Sequence, residues 1–210
     1  MKKINKELIV STIACFIPMV IALLFYNKLP EQVPTHFGWN GEANGYSSKV
    51  FFTFIMPLLY VGLHLFVNIM VNNDPKRANS PKIMFSLVRW LIPVLMTIVT
   101  GLSIAAALNV NINVSTWILC FIGILFIVIG NYLPKCKQNY TIGIKLPWTL
   151  NSEENWNKTH RLGGIVFVLF GLIQIAGAFF NFGGLITMIT IFAVLLIPMM
   201  YSFILYKKGI

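Results

Sequence analysis

Six stretches of the chain are each long and apolar enough to cross a lipid bilayer, and that pattern limits the fold more than anything else in the sequence. A bilayer core about 30 Å thick takes about 20 residues of helix. Leu8–Tyr26, Val50–Val71, Ile83–Leu108, Ser115–Leu133, Leu162–Phe180 and Leu185–Tyr206 all have this character. Backbone N–H and C=O groups must find internal partners in hydrocarbon, so such segments fold as helices. The expected fold is all-α: a polytopic membrane protein of six transmembrane helices.

Composition agrees. Of 210 residues, 57% are hydrophobic and 10% charged, whereas about a quarter of a soluble domain is charged. So few charges cannot cover a water-facing surface, which excludes a soluble enzyme or a soluble DNA-binding domain. The net charge of +10 has a simpler use than direct nucleic-acid binding, because the basic residues flank the apolar runs. Lys2, Lys3 and Lys6, then Lys76, Arg77 and Lys82, then Lys135, Lys137, Lys145, Lys158 and Arg161, then Lys207 and Lys208 all fall on one set of alternate segments. The other set holds only Lys28 and Lys49. By the positive-inside rule both termini face the cytoplasm, N-in and C-in. The first apolar run is followed by no small-residue cleavage site and reads as a retained helix. Cys15, Cys120 and Cys136 have neither disulfide nor zinc-site spacing.

Two loops are long enough to carry chemistry. They suggest a two-helix unit, residues 1–72, containing the outer loop 28–49, and a four-helix unit, residues 83–210, containing the inner loop 134–161. In the outer loop, Pro30 and Pro34 favour an extended entry, and Val33–Phe37 reads as a short strand. Asn40-Gly41 and Asn44-Gly45 are two tight-turn signals. Trp39 and Tyr46 are suited to the membrane interface. His36, Asn40, Glu42 and Asn44 form a polar set open to three uses: ligand recognition, satisfaction of the turns, or metal binding. One imidazole with one carboxylate falls short of a metal donor set, so no metal is expected.

In the inner loop, Pro134 ends the fourth span and Tyr140–Leu146 reads as an extended segment centred on Gly143. Pro147 stops it, beside Trp148. A helix is expected to begin at Asn151 or Ser152, with Glu153 and Glu154 suited to its first turn, and to run into the fifth span. Trp156, His160, Gly163 and Gly164 share one face of it. Glu153, Glu154 and His160 offer acid–base chemistry. No nucleophile motif, H-E-x-x-H pattern or phosphate-binding glycine loop accompanies them, so no catalytic residue and no cofactor are expected. Within the spans, His64 and Asn68 form one polar stripe and Gln174 another. Arg89 is expected to snorkel toward the inner side beside Trp90, or otherwise to pair inside the bundle.

Two motifs also resemble a known family. Leu-Pro-x-x-Val-Pro-x-His-Phe followed by Asn-Gly-Glu-x-Asn-Gly-Tyr-x-Ser-Lys, from Leu29 to Lys49, is similar to the N-terminal domain of unknown function that accompanies SdpI-type immunity proteins. Gly130-Asn131, Pro134, Lys137, Asn139, Ile142-Gly143-Ile144-Lys145, Pro147-Trp148-Thr149-Leu150 and Trp156-x-x-Thr159-His160-Arg161-x-Gly163 resemble the SdpI signature. The family often carries Arg at position 145; Lys keeps the charge without the planar fork. The resemblance implies a multi-pass protein of the bacterial cytoplasmic membrane, in contact with lipid, that protects its cell from a secreted peptide toxin. In some relatives it also implies a receptor that sequesters a cytosolic transcriptional repressor. Carried over by position, His36, Phe37, Gly41, Glu42, Asn44, Gly45 and Tyr46 would sense the toxin. Asn139, Gly143, Lys145, Pro147, Trp148, Trp156, Thr159, His160 and Arg161 would couple to or dock the partner. The residues alone leave open a small-solute transporter or channel lined by His64, Asn68 and the inner loop, and a membrane-embedded enzyme using His160 with Glu153 and Glu154.

Overall fold

A computed structural model describes residues 5–38, 41–180 and 183–210. Helices α1 (Lys6–Ala14) and α2 (Ile17–Leu24) form the first span, and strands β1 (Gln32–Phe37) and β2 (Ala43–Ser48) follow. Helices α3 (Met56–Asn72), α4 (Lys82–Ala107) and α5 (Val114–Tyr132) come next, and then the short α6 (Pro147–Asn151), α7 (Glu153–Gly177) and α8 (Gly183–Lys207). Among the described residues, six helical segments have the length and apolarity to cross a membrane. The protein is a helical, six-span membrane protein.

The first span is interrupted. Pro18 sits in the first turn of α2, where its missing N–H costs no helical bond, and α1 closes at Cys15 through bonds from its N–H to Ser11 and Thr12. Asn5 caps α1 by accepting from the N–H groups of Glu7 and Leu8. The second span opens with a π-helical turn, Phe51–Ile55, just before Pro57. Pro93 and Pro198 lie inside α4 and α8 without ending them.

The chain divides into two compact units: residues 1–70 with 85–115, and residues 71–84 with 116–210. In the first, the hairpin stands on an apolar core of Ala22, Leu29, Val33, Phe52 and Ile104. The hairpin is antiparallel, pairing Val33 with Ser47 and Phe37 with Ala43, with a bulge at Thr35. The strand expected over Val33–Phe37 is therefore present. Asn44-Gly45, however, is not a turn: it lies within β2, opposite His36. Gly41 supplies the turn, with φ of +84°; Trp39 and Asn40 lie outside the described residues.

In the second unit, α5 and α7 pack backbone to backbone on two pairs of glycines. A Cβ on Gly130 would lie 2.7 Å from the carbonyl oxygen of Gly164, and one on Gly123 would lie 2.7 Å from that of Gly171. Glycine lets helices approach this closely in a membrane. Position numbers fall along α5 as they rise along α7, so the two helices run antiparallel.

Candidate functional site

The outer loop is built on the hairpin. Its tip is fastened by a hydrogen bond from Gly38 N–H to Glu42 O at 2.8 Å and by one from the Ser115 hydroxyl to Gly38 O at 3.3 Å. His36 is exposed, and its Nδ1 is hydrogen-bonded to Asn44 Oδ1. Gly45 makes that possible: a Cβ there would lie 2.8 Å from His36 Cβ. Tyr46 is 58% exposed, and Phe37 is half-buried. The hairpin thus unites His36, Asn44 and Gly45, while Gly41 and Glu42 shape its turn.

The inner loop is knotted around Asn139 rather than extended. The Asn139 carboxamide accepts from Thr141 N–H at 3.0 Å and Ile142 N–H at 2.7 Å and donates to the carbonyls of Lys137 and Ile142, each at 2.9 Å. A short polar side chain competing with regular backbone pairing in this way turns the chain, which overrides the extended reading of Tyr140–Leu146. Gly143 follows with φ of +127°. Pro147 opens α6, and the Thr149 hydroxyl accepts from Leu146 N–H at 2.8 Å.

The first turn of α7 forms as expected: Ser152 caps it by accepting from Asn155 N–H, with Glu153 and Glu154 following. The expected face of Trp156, His160, Gly163 and Gly164 is present but buried, and Trp156, His160 and the neighbouring Thr159 are completely enclosed within the protein. Trp156 Nε1 donates to Cys136 O at 2.7 Å, and its ring stacks on that of His160 with centroids 3.9 Å apart. His160 Nε2 accepts from Ile144 N–H at 3.0 Å while Nδ1 lies 2.8 Å from Trp156 O. Nδ1 therefore carries the proton and Nε2 is occupied. An acid–base role at Nε2 would need the lone pair that Ile144 already uses. A Cβ on Gly143 would collide with His160 Nε2 and sit 3.0 Å from the Trp156 ring.

Lys145, Pro147 and Arg161 remain exposed at the surface of the same loop. Trp148 stands apart, stacked on Tyr206 and edge-on to Phe203. Residues that the sequence reading missed complete the framework. Asp74 accepts from Lys76 N–H at 2.7 Å, Tyr140 N–H at 3.0 Å and the Thr141 hydroxyl at 2.6 Å. Burial opposes the charge on Asp74, but these hydrogen bonds outweigh it and hold the carboxyl below the usual carboxylate range. Gln138 donates to the carbonyls of Thr149 and Leu150 and accepts from Lys76 Nζ at 2.8 Å. Asn155 donates to Ser202 O at 3.0 Å and accepts from the hydroxyls of Ser202 and Thr159. Asp74 had a signal in sequence: it is the one carboxylate in a short loop that otherwise carries cations. Gln138 and Asn155 had none, because their partners are distant carbonyls.

The polar residues in the spans are also occupied. Arg89 does not snorkel; it is 5% exposed and pairs with Glu7 at 2.6 Å. Glu7 lies one turn before Ser11 on α1, and Ser11 meets His64 Nε2 at 3.3 Å. Asn68 donates to His64 O at 2.8 Å. In the second unit, Gln174 Nε2 donates to the Thr187 hydroxyl at 2.7 Å. Among the described residues, no group of three or more His, Cys, Asp or Glu side chains could hold a metal ion.

Six membrane-crossing helices with a hairpin on one long loop and a densely bonded knot on the other define a small polytopic membrane protein. Residues 135–204 match the SdpI/YfhL protein family, and residues 13–61 match a domain of unknown function, DUF1648. The first window contains most of the knot and the second contains the hairpin. Over 207 residues, 97% of each chain, the sequence is 29% identical to the Immunity protein SdpI of Bacillus subtilis (strain 168). No solved structure matches it. These similarities and the spans together place it in the bacterial cytoplasmic membrane as a multi-pass protein.

Proposed function

We propose that the chain is an immunity protein that protects its cell from a secreted peptide toxin, with the hairpin outside and the knotted loop in the cytoplasm. The observation that carries this reading is similarity over nearly the whole of both chains to an immunity protein. The distribution of basic residues supports the N-in, C-in orientation. The hairpin receives the toxin, and the knot couples its state to a cytosolic repressor held at the membrane. Trp156, Thr159, His160, Asn139 and Gly143 act in that coupling from inside, as the packing that positions Lys145, Pro147 and Arg161. The partner meets those exposed residues. His64, held by Ser11, and Arg89, held by Glu7, serve as interhelical ties, and Asn68 bonds back onto His64 within α3, which argues against a solute path; the occupied His160 Nε2 argues against an enzyme.

The test is survival. Bacillus subtilis lacking its own SdpI, expressing this chain, is challenged with the agent against which SdpI gives immunity. Protection is expected. Loss of the cells despite normal membrane expression would overturn the reading. Single cysteines test the orientation: Ser47→Cys should label from outside in intact cells, and Ser152→Cys only after permeabilisation.

A further inference from the structure

The connection between α3 and α4 does more than join two helices. A short surface loop ordinarily leaves its polar groups to water. This one directs them at the segment around Asn139, far along the chain. Asp74 accepts from Tyr140 N–H at 3.0 Å and from the Thr141 hydroxyl at 2.6 Å. Lys76 Nζ donates to Gln138 Oε1 at 2.8 Å and lies 5.1 Å from the centre of the Tyr140 ring. Asn79 Nδ2 donates to Gln138 O at 2.8 Å, and Asn79 O accepts from Lys137 N–H at 3.2 Å. The bonds therefore grip the knot on both sides of Asn139, the residue that ties it. The spans on either side belong to the first compact unit, up to Met70 and from Phe85, whereas the connection belongs to the second.

The attachment is taut at both ends. One residue, Asn73, separates the last helical residue of α3 from Asp74; Ser80 and Pro81 alone separate Asn79 from the first of α4. Pro75 and Pro81 each fix their own φ, and consecutive Cα atoms are only about 3.8 Å apart. Tilting or turning α3 must pull on Asp74, and moving α4 must pull on Asn79. At its other end α3 continues the hairpin, because β2 ends at Ser48 and the π-helical turn that opens the span begins at Phe51. Hairpin and clamp are thus the two ends of one membrane-crossing helix, Phe51–Asn72, about 33 Å long.

We propose that residues 74–79 are a transmission clamp: a shift of β2 is carried along α3 to Asp74, and movement of α4 to Asn79, and the clamp passes either one to the knot, changing how readily it opens. Asp74 and Asn79 are positioning residues in this device. It rests on the immunity reading only for its use, from toxin at the hairpin to partner at the knot; the linkage is tested with neither.

The readout is Cys136, which is 1% exposed, precedes Lys137 and holds Trp156 Nε1 through its carbonyl, so maleimide reaches it only when the knot opens. The full chain, carrying Cys15→Ala and Cys120→Ala, is placed in nanodiscs. Gly45→Ala is the perturbation: the new Cβ would lie 2.8 Å from His36 Cβ, so β2 must shift. It should change the Cys136 labelling rate by at least about fivefold, the low end of coupling between linked sites. A slack chain carries Gly-Ser-Gly-Ser between Asn73 and Asp74 and again between Ser80 and Pro81, which keeps every bonding group of the clamp. In that chain Gly45→Ala should leave the rate unchanged, whereas a clamp that merely packs would respond alike in both. Glu7→Gln, which releases Arg89 on α4, is a second perturbation and should show the same contrast. Asp74→Ala with Asn79→Ala should raise the resting rate and lose the response. Equal responses in the taut and slack chains, no response to either perturbation in the taut chain, or a full response without Asp74 and Asn79 would each overturn the proposal. Survival separates the two readings. If the unmodified chain protects cells but shows no coupling, the clamp falls and immunity stands. If it couples but fails to protect, immunity falls while the clamp stands.

Discussion

Replacing Gly143 by alanine should unlock the knot. Two penalties act together. The residue sits at φ of +127°, where a side chain is held at a cost of about 1–3 kcal/mol. The new Cβ would also collide with His160 Nε2 and press on the Trp156 ring. Moving the imidazole breaks its bond with Ile144 N–H, and an unsatisfied buried donor costs about 1–3 kcal/mol. Taking about 3 kcal/mol for the two together, the open form of the loop gains roughly a hundredfold in population, since each 1.4 kcal/mol is a factor of ten. Cys136 reports the opening: it is 1% exposed, and its carbonyl holds Trp156 Nε1. Burial pushes its thiol up to about 11, so closed molecules label slowly at pH 8. In a Cys15→Ala, Cys120→Ala background, Gly143→Ala should speed maleimide labelling of Cys136 by about two orders of magnitude. Labelling at the unmodified rate in a folded, membrane-inserted variant would refute the reasoning.

Three further outcomes follow from the same framework. Asp74→Asn should destabilise the second unit by about 1–3 kcal/mol at pH 7, since three donors lose a charged acceptor. The folded pKa of Asp74 is depressed, so its stabilisation is complete above the ordinary value of 3.8 and is lost as pH falls from there through the lower folded value; the difference between variants in thermal unfolding should shrink across that acid interval. Glu7→Gln should cost about 3 kcal/mol, the low end for stranding one partner of a buried pair because Glu7 remains a third exposed, and pairing it with Arg89→Leu should restore most of the loss in a double-mutant cycle. Gly130→Val should lower the melting temperature in detergent by the equivalent of about 1–3 kcal/mol of overpacking, whereas Gly62→Val, where nothing lies within 4 Å of a new Cβ, should leave it within error.

Much of the fold was legible because bilayer thickness and backbone pairing leave few solutions for six apolar runs. The N-cap at Ser152, the first-turn carboxylates and the continuation of α7 into its span all follow from local chemistry. The antiparallel packing of α5 on α7 was also written in the sequence: Gly123 and Gly130 are seven apart, as are Gly164 and Gly171, two helical turns in each case. Only Gly130 and the Gly163-Gly164 pair entered the reading, so the matching intervals went unused. The hairpin was harder. Asn-Gly is a strong turn signal at both places where it occurs, yet only one can be the turn, and the second is spent on giving His36 a neighbour without a side chain.

The candidate sites show a different limit. Trp156, His160 and Asn139 are residue types that bind partners, and their spacing on a helix or loop says only that they share a face. Whether that face meets another molecule depends on what the same chain folds over it, which in this case is the 134–146 segment turned back by Asn139. A buried aromatic face with every polar atom satisfied cannot exchange partners without opening, and opening costs the hydrogen bonds to Cys136 and Ile144. Of the residues carried over for partner contact, the exposed Lys145, Pro147 and Arg161 are therefore the ones that can make it from the closed loop. Substitutions at these three should alter partner binding without slowing or speeding Cys136 labelling, whereas substitutions at Gly143 or Trp156 should change both together. If Lys145→Glu opened the loop as Gly143→Ala does, the separation between a positioning interior and a contacting surface would be wrong.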